Sequence, residues 1–310
     1  MAIRLITAAV VLLSACGGPR RGPVGELSGP LVVFNAGSLA LPFQQLLAAF
    51  ASKHPGVTPA QESSGSLEAT RKLTELGKIP DVLAVADYNV ITKLLIPGYA
   101  TDYVPFASNA MVLAYTEQSR HAGEITGENW WRMLLTPGVR WGHSNPALDP
   151  NGYRSLMVFQ LAEEHYREPG LANRLNQALD PRYVRSAEAQ LVGLLQAGEL
   201  DYAWSYRSLA ASSGLKWVAL PPEIDLSDPA RAARYARATV KLPGPRLGGD
   251  SVEFRGEPIL YALTIPTAAP HPEVARAFVE FVRSPEGAAI LQRTGFTLAL
   301  GLSTNSGASR

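Results

Sequence analysis

Leu31-Val-Val-Phe-Asn-Ala-Gly-Ser-Leu39 is a short apolar run that stops at Ala36-Gly37-Ser38 and hands over to a helical pattern from Leu41 to His54. Phe43, Leu46, Leu47 and Phe50 fall at helical spacing there, and Pro55-Gly56 ends the pattern. A buried strand that turns through Gly-Ser into a helix leaves backbone N–H groups pointing outward without partners, which is a place for an anion. The same grammar recurs at once. Val57–Gln61 reads as a strand, Glu62-Ser63-Ser64-Gly65-Ser66 as the turn, and Leu67–Leu76 as a helix with Ala69, Leu73 and Leu76 on one face and Gly77 as its stop. Asp81–Ala86 is apolar enough for a parallel strand covered on both faces, and it leads through Asp87-Tyr88 into another helical segment. Strands alternating with helices predict an α/β protein with a parallel sheet.

Two longer strand-like runs, Ala110–Tyr115 and Pro258–Thr264, are candidates to join two lobes. Between them the sequence predicts a strand at Val139–Gly142, a loop His143–Asn151 and a helix from Gly152 to near Tyr166. A helix after Ser186 with Leu191, Leu194 and Leu195 inward, a strand Asp201–Trp204 and another at Lys216–Leu220 follow. Helices begin at Pro272 and span Pro285–Arg293, and the last residues from Leu302 are small and polar.

A chain of 310 residues with 46% hydrophobic and 18% charged residues has the makings of about two globular domains. The net charge of +1 and the lack of a Lys/Arg run argue against nucleic acid as a partner. Met1 to Ala15 carries one positive charge, Arg4, ahead of an apolar stretch too short to span a membrane, which is the layout of a secretory signal. Leu13-Ser14-Ala15-Cys16 matches the bacterial lipoprotein box, with Cys16, the only cysteine, as the lipidated residue. The alternative is an ordinary signal peptide with a chance cysteine. Residues 17–30 are rich in Gly and Pro and read as a flexible tether, with the folded body starting near Leu31. Lipid at Cys16 would hold that body beside a membrane while leaving it in water. A lone cysteine forms no internal disulfide.

Ser38 and Ser66 occupy equivalent positions in the two strand-turn-helix units, each with a hydroxyl able to donate to an oxyanion. Taken singly, each also reads as an N-cap of its own helix. Asp149 before a helix reads as a turn or capping residue, Glu188 as a first-turn acid after Ser186, and Tyr206 as the start of a helix. Hydrolase elbows, phosphate loops and zinc motifs are absent, and histidines 54, 121, 143, 165 and 271 are scattered without ligand spacing.

Phe34-Asn-Ala-Gly-Ser-Leu39, Ser64-Gly65-Ser66 with Arg71-Lys-Leu-Thr-Glu-Leu-Gly77, Asp87-Tyr88, Asp149-Pro-Asn-Gly-Tyr-Arg-Ser-Leu-Met157, and Gly198-Glu-Leu-Asp-Tyr202 with Tyr206-Arg-Ser208 together resemble the tungstate/molybdate-binding proteins of ABC importers. The resemblance covers most of the chain from Leu31 to about Phe296. It implies an α/β, two-lobe periplasmic-binding-protein fold of type II with two crossover hinge strands, and oxyanion held in the cleft. The lobes would comprise residues 31–110 with 258–310, and residues 111–257. It further implies Ser38 and Ser66 as oxyanion donors from the first lobe, Tyr206 near the ligand, and Asp149 and Glu188 as carboxylates that bind the metal from the second. No cofactor is implied beyond molybdate or tungstate as ligand. The implied setting is extracytoplasmic: a lipid-anchored monomer presenting its cargo to a permease with a cytoplasmic ATPase, and no catalysis.

Two carboxylates beside a dianion repel it by roughly 4 kcal/mol for each unit pair at about 4 Å and an effective dielectric near 20. The family's answer is that carboxylate oxygens donate to the high-valent metal and expand four-coordination toward six, which sulfate does not readily do. This chain is shorter than many members between Tyr166 and Arg185, and Ser205 and Glu199 are the alternatives to Glu188 in that region. Other readings are a binding protein for another oxyanion or small organic acid, or a cell-envelope enzyme with Ser38 or Ser66 as nucleophile.

Overall fold

The computed structural model describes residues 27–244 and 250–299; Cys16 and the polar tail from Leu302 lie outside the described residues. β1 (Ser28–Ala36), α1 (Ala40–Lys53), β2 (Gly56–Ser64), α2 (Ser66–Thr74), β3 (Val82–Val85), α3 (Tyr88–Leu94) and β4 (Val104–Ser108) follow one another as alternating strands and helices. β1 lies between β2 and β3, all three parallel. All four residues of β3 are buried, as the apolar run at Asp81–Ala86 requires. Phe43 and Phe50 of α1 are buried together with Phe278, whose ring centroid lies 6.1 and 5.4 Å from theirs.

The chain then builds a second sheet from β5 (Met111–Tyr115), α4 (Trp130–Leu134), β6 (Trp141–Ser144), α5 (Pro150–Tyr166), α6 (Leu171–Ala178), β7 (Val184–Arg185), α7 (Ala189–Gln196), β8 (Tyr202–Tyr206), α8 (Arg207–Ser212) and β9 (Lys216–Ala219). Its strand order is β7-β6-β8-β5-β9, with β7, β6 and β8 parallel. Trp204 of β8 anchors this core, its ring 5.1 Å from that of Trp130 and 5.3 Å from that of Phe159 on α5. After α9 (Ala232–Tyr235), β10 (Thr239–Pro243) and β11 (Ser251–Arg255) pair as an antiparallel ribbon. β12 (Leu260–Thr264), α10 (Pro272–Arg283), α11 (Pro285–Arg293) and β13 (Thr297–Leu298) return to the first sheet, whose order is β13-β4-β12-β3-β1-β2. No helix among the described residues is long and apolar enough to cross a membrane.

Several expectations shift. β1 starts at Ser28, because Ser28, Gly29 and Pro30 at the end of the expected tether pair with Gly56, Val57 and Thr58. The runs Ala110–Tyr115 and Pro258–Thr264 lie at the two passages between the sheets, each with its ladder on one side. β5 completes its ladder with β8 and β9, and β12 with β3 and β4, so each belongs to one sheet. The chain crosses in the short connections ahead of them, at Asn109-Ala110 and at residues 256–259. Asn109 is pinned there, with Nδ2 donating to Ser208 Oγ at 2.7 Å and Oδ1 accepting from Ser208 N at 3.2 Å. His271, half-buried ahead of α10, holds Asp81: its backbone N–H donates to the buried Asp81 Oδ1 at 2.7 Å, and its ring lies 3.1 Å from the same oxygen.

Candidate functional site

In both sheets the parallel strands deliver their polar residues at their carboxyl ends, where ligands gather in open α/β sheets. Ser38 follows β1, Ser66 follows β2 and Asp87 follows β3; Asp149 and Glu188 follow β6 and β7, and Tyr206 is the last residue of β8. All six are buried.

Neither serine caps a helix through its side chain. Ser38 sits in a 3-10 turn, Gly37–Leu39, and its Oγ lies 2.9 Å from the hydroxyl of Tyr261 on β12. Ser66 is the first residue of α2, and its Oγ accepts from Ala86 N at 3.0 Å. Asp149 does cap: its Oδ1 accepts from Asn151 N at 2.9 Å, which starts α5 two residues earlier than the apolar pattern suggested, with Pro150 at the first helical turn. Its Oδ2 accepts from Glu188 N at 2.9 Å, so the two acids adjoin despite the short connection between Tyr166 and Arg185. Glu188 Oε1 accepts from Ser205 Oγ at 2.6 Å and from Tyr206 N at 2.5 Å. Of the alternatives to Glu188, Ser205 thus serves the glutamate, and Glu199 is exposed. Ser186 does not cap α7; its Oγ donates to Gln190 Oε1.

The two halves touch through residues to which sequence reasoning gave no role. Arg154 on α5 places Nη2 3.2 Å from Asp87 Oδ2, and its Nη1 donates to Ala86 O at 2.7 Å and to the Tyr206 hydroxyl at 2.9 Å. The Tyr153 hydroxyl donates to Asp87 Oδ2 at 2.6 Å. Leu67 N and Glu68 N, in the first turn of α2, donate to Leu148 O from the second half at 3.1 and 3.2 Å. A signal for Arg154 was present: Met157, Val158 and Leu161, three, four and seven residues on, are all buried, so a guanidinium on that stripe has to find a partner inside.

One buried guanidinium thus stands between Asp87 on one side and the adjoining pair Asp149 and Glu188 on the other, all of them buried. Burial pushes the Asp149 carboxyl up to about 6 against the N–H bonds from Glu188 and Asn151 that favour its charge. Burial first, and the charge of Asp149 second, push Glu188 well above the usual carboxylate range. Burial works against the Arg154 charge, and Tyr206, Asp87 and Tyr153 outweigh it and hold the guanidinium protonated. For Asp149 the folded chain keeps a proton that the unfolded chain has lost between about pH 4 and about pH 6. Its contribution to stability is full below that window and falls as pH rises through it. Relative to Asp149→Asn, the closed wild-type fold is expected to lose up to about 3 kcal/mol across that range, read as a widening gap in Tm between the two proteins.

Residues 31–297 match the model of a family described as bacterial extracellular solute-binding protein. The chain belongs to that family. This solute-binding protein is 44% identical over 270 residues to an uncharacterised solute-binding protein of Petrotoga mobilis, covering 87% of this chain and 84% of the relative. It is 37% identical over 311 residues to the molybdate/tungstate-binding protein WtpA of Pyrococcus abyssi, covering 92% and 89%. Among solved structures it is similar to the sulfate-binding protein SubI of Mycobacterium tuberculosis, with TM-score 0.63, 15% identity and 88% of each chain covered. It is also similar to the periplasmic molybdate-binding protein of Azotobacter vinelandii, with TM-score 0.58, 18% identity and coverage of 86% of this chain and 99% of that one. At these identities the two structures bear on the fold, which is the two-lobe fold of periplasmic binding proteins.

Proposed function

We propose that this solute-binding protein takes up molybdate or tungstate between its two lobes and delivers it to an ABC importer. The observation that carries the reading is the pair Asp149 and Glu188, buried and adjoining at the carboxyl ends of β6 and β7, on the far side of the cleft from Ser38 and Ser66. A site built to hydrogen-bond a dianion has no use for two carboxylates in that position. A metal centre that accepts carboxylate oxygens has. Both bonds to Glu188 fall on Oε1, so Oε2 is the oxygen free to donate to the metal. Ser38 and Ser66 orient the oxyanion from the first lobe, and Tyr206, fixed by Arg154, lines the second. Extensive identity to a relative named for molybdate and tungstate points the same way.

Several features belong to the same proposal. The lobes divide the chain near residues 110 and 258, the first of them beginning with β1 at Ser28. Cys16 is lipidated and holds a monomer on the outer side of the cell membrane, where it meets the permease whose cytoplasmic ATPase drives import. The protein itself catalyses nothing.

Trp204 lies two residues before Tyr206 in β8, which makes its fluorescence a reporter on the cleft. Tungstate or molybdate at micromolar concentration is expected to change tryptophan emission and raise Tm, while sulfate at equal concentration leaves both unmoved. A sulfate or phosphate response as large as that of tungstate would sink the assignment and favour a general oxyanion carrier.

A further inference from the structure

One short segment of the second lobe, Leu148–Arg154, does two jobs. Asp149 within it faces the ligand site. Its flanking residues make polar contacts to the first lobe: Leu148 O caps the first turn of α2 through Leu67 N and Glu68 N, and Tyr153 and Arg154 grip Asp87, the residue that caps α3 through Asn89 N. The carbonyl reaches α2 because residue 65 is glycine. A Cβ built on Gly65 would stand 2.8 Å from the carbonyl carbon of Leu148, overlap its oxygen, and meet Asp149 Cβ at 3.1 Å. These obstacles all come from the other lobe. Gly65 itself has φ −62° and ψ 145°, a conformation any residue adopts, so alanine costs its own lobe nothing. Gly37 supplies the contrast at the neighbouring contact, where a Cβ would lie 3.6 Å from Ala187 Cβ and Ala189 Cβ, an ordinary van der Waals distance.

We infer that Leu148–Arg154 is the closing latch of the cleft and that Gly65 is the position that admits it. Ligand held by Asp149 draws the segment in; its ends then hydrogen-bond α2 and Asp87, and the lobes stay shut until those bonds break. Tyr153 and Gly65 act on ligand release through closure, as positioning residues, and touch no ligand. This inference rests on the functional reading above.

The test compares wild type, Gly65→Ala, Tyr153→Phe and Gly37→Ala, each titrated with tungstate and followed by stopped-flow fluorescence and small-angle X-ray scattering. Wild type and Gly37→Ala are expected to contract on adding tungstate and to release it slowly. Gly65→Ala should keep its ligand-free Tm and radius of gyration, remain uncontracted with tungstate present, and release it on the order of a hundredfold faster. Tyr153→Phe should contract and yet release about tenfold faster, with its association rate unchanged. Contraction and release of Gly65→Ala at wild-type values would overturn the latch while leaving the ligand assignment intact. Wild type that takes up neither tungstate nor molybdate would overturn the functional reading, and the ligand-driven latch with it.

Discussion

Glu188→Gln is expected to weaken tungstate binding by about a hundredfold, or about 3 kcal/mol, and to strengthen sulfate binding. The two changes have opposite signs because the substitution separates two kinds of site. Glutamine keeps the shape and one carbonyl oxygen, so the bonds from Ser205 Oγ and Tyr206 N survive. What changes is the other terminal atom, where a carboxylate oxygen becomes an NH2 donor and one negative charge disappears. A tetrahedral dianion held by hydrogen bonds alone gains a donor and loses a repulsion, so every oxyanion should bind better. An anion whose metal accepts Oε2 loses a ligand and should bind worse. Calorimetric titration of wild type and Glu188→Gln with tungstate and with sulfate reads both signs. Stronger tungstate binding by the variant would remove Glu188 from the metal and leave a hydrogen-bonding site. Because the carboxyl of Glu188 is pushed well above its usual range by burial and by Asp149, the ligand-free variant should unfold at the wild-type temperature or above it.

The strand-turn-helix units around Ser38 and Ser66 were legible because their information is local. An apolar run, a Gly-Ser turn and a helical stripe specify each unit without reference to the rest of the chain, and the parallel β1–β3 sheet follows. The positions of Asp149 and Glu188 were legible only through the family resemblance. Their adjacency depends on β6 and β7 pairing in parallel, a contact between residues about forty apart that periodicity does not encode. Which sheet each of the long runs belongs to was hidden for a related reason. A strand that changes lobes and one that stays in its sheet carry the same apolar pattern, and only the pairing of β5 with β8 and of β12 with β3 tells them apart. The interlobe contacts were least visible of all, since Leu148 acts through its backbone carbonyl and Gly65 through the absence of a side chain.

Arg154 is where a buried charge that the apolar stripe of α5 should reject becomes indispensable. Tungstate-loaded Arg154→Met is expected to be about 3–5 kcal/mol less stable than loaded wild type, the cost of leaving buried carboxylates without their counter-charge. Asp87 loses the guanidinium 3.2 Å from its Oδ2, and Asp149 and Glu188 lose the cation that favours their ionised forms. Lysine should restore only part of this. The guanidinium serves Ala86 O and the Tyr206 hydroxyl from Nη1 and Asp87 from Nη2, on separated atoms that a single ammonium does not reproduce. Adding Asp87→Asn to Arg154→Met should recover a fraction of the loss, because one of the stranded charges is then gone. Urea unfolding of the four proteins of that cycle, each saturated with tungstate, measures the coupling between the two residues. A coupling near zero would mean that Asp87 is held by Tyr153 and the α3 N-terminus alone, and that Arg154 acts on Ala86 O, Asp149, Glu188 and Tyr206 instead.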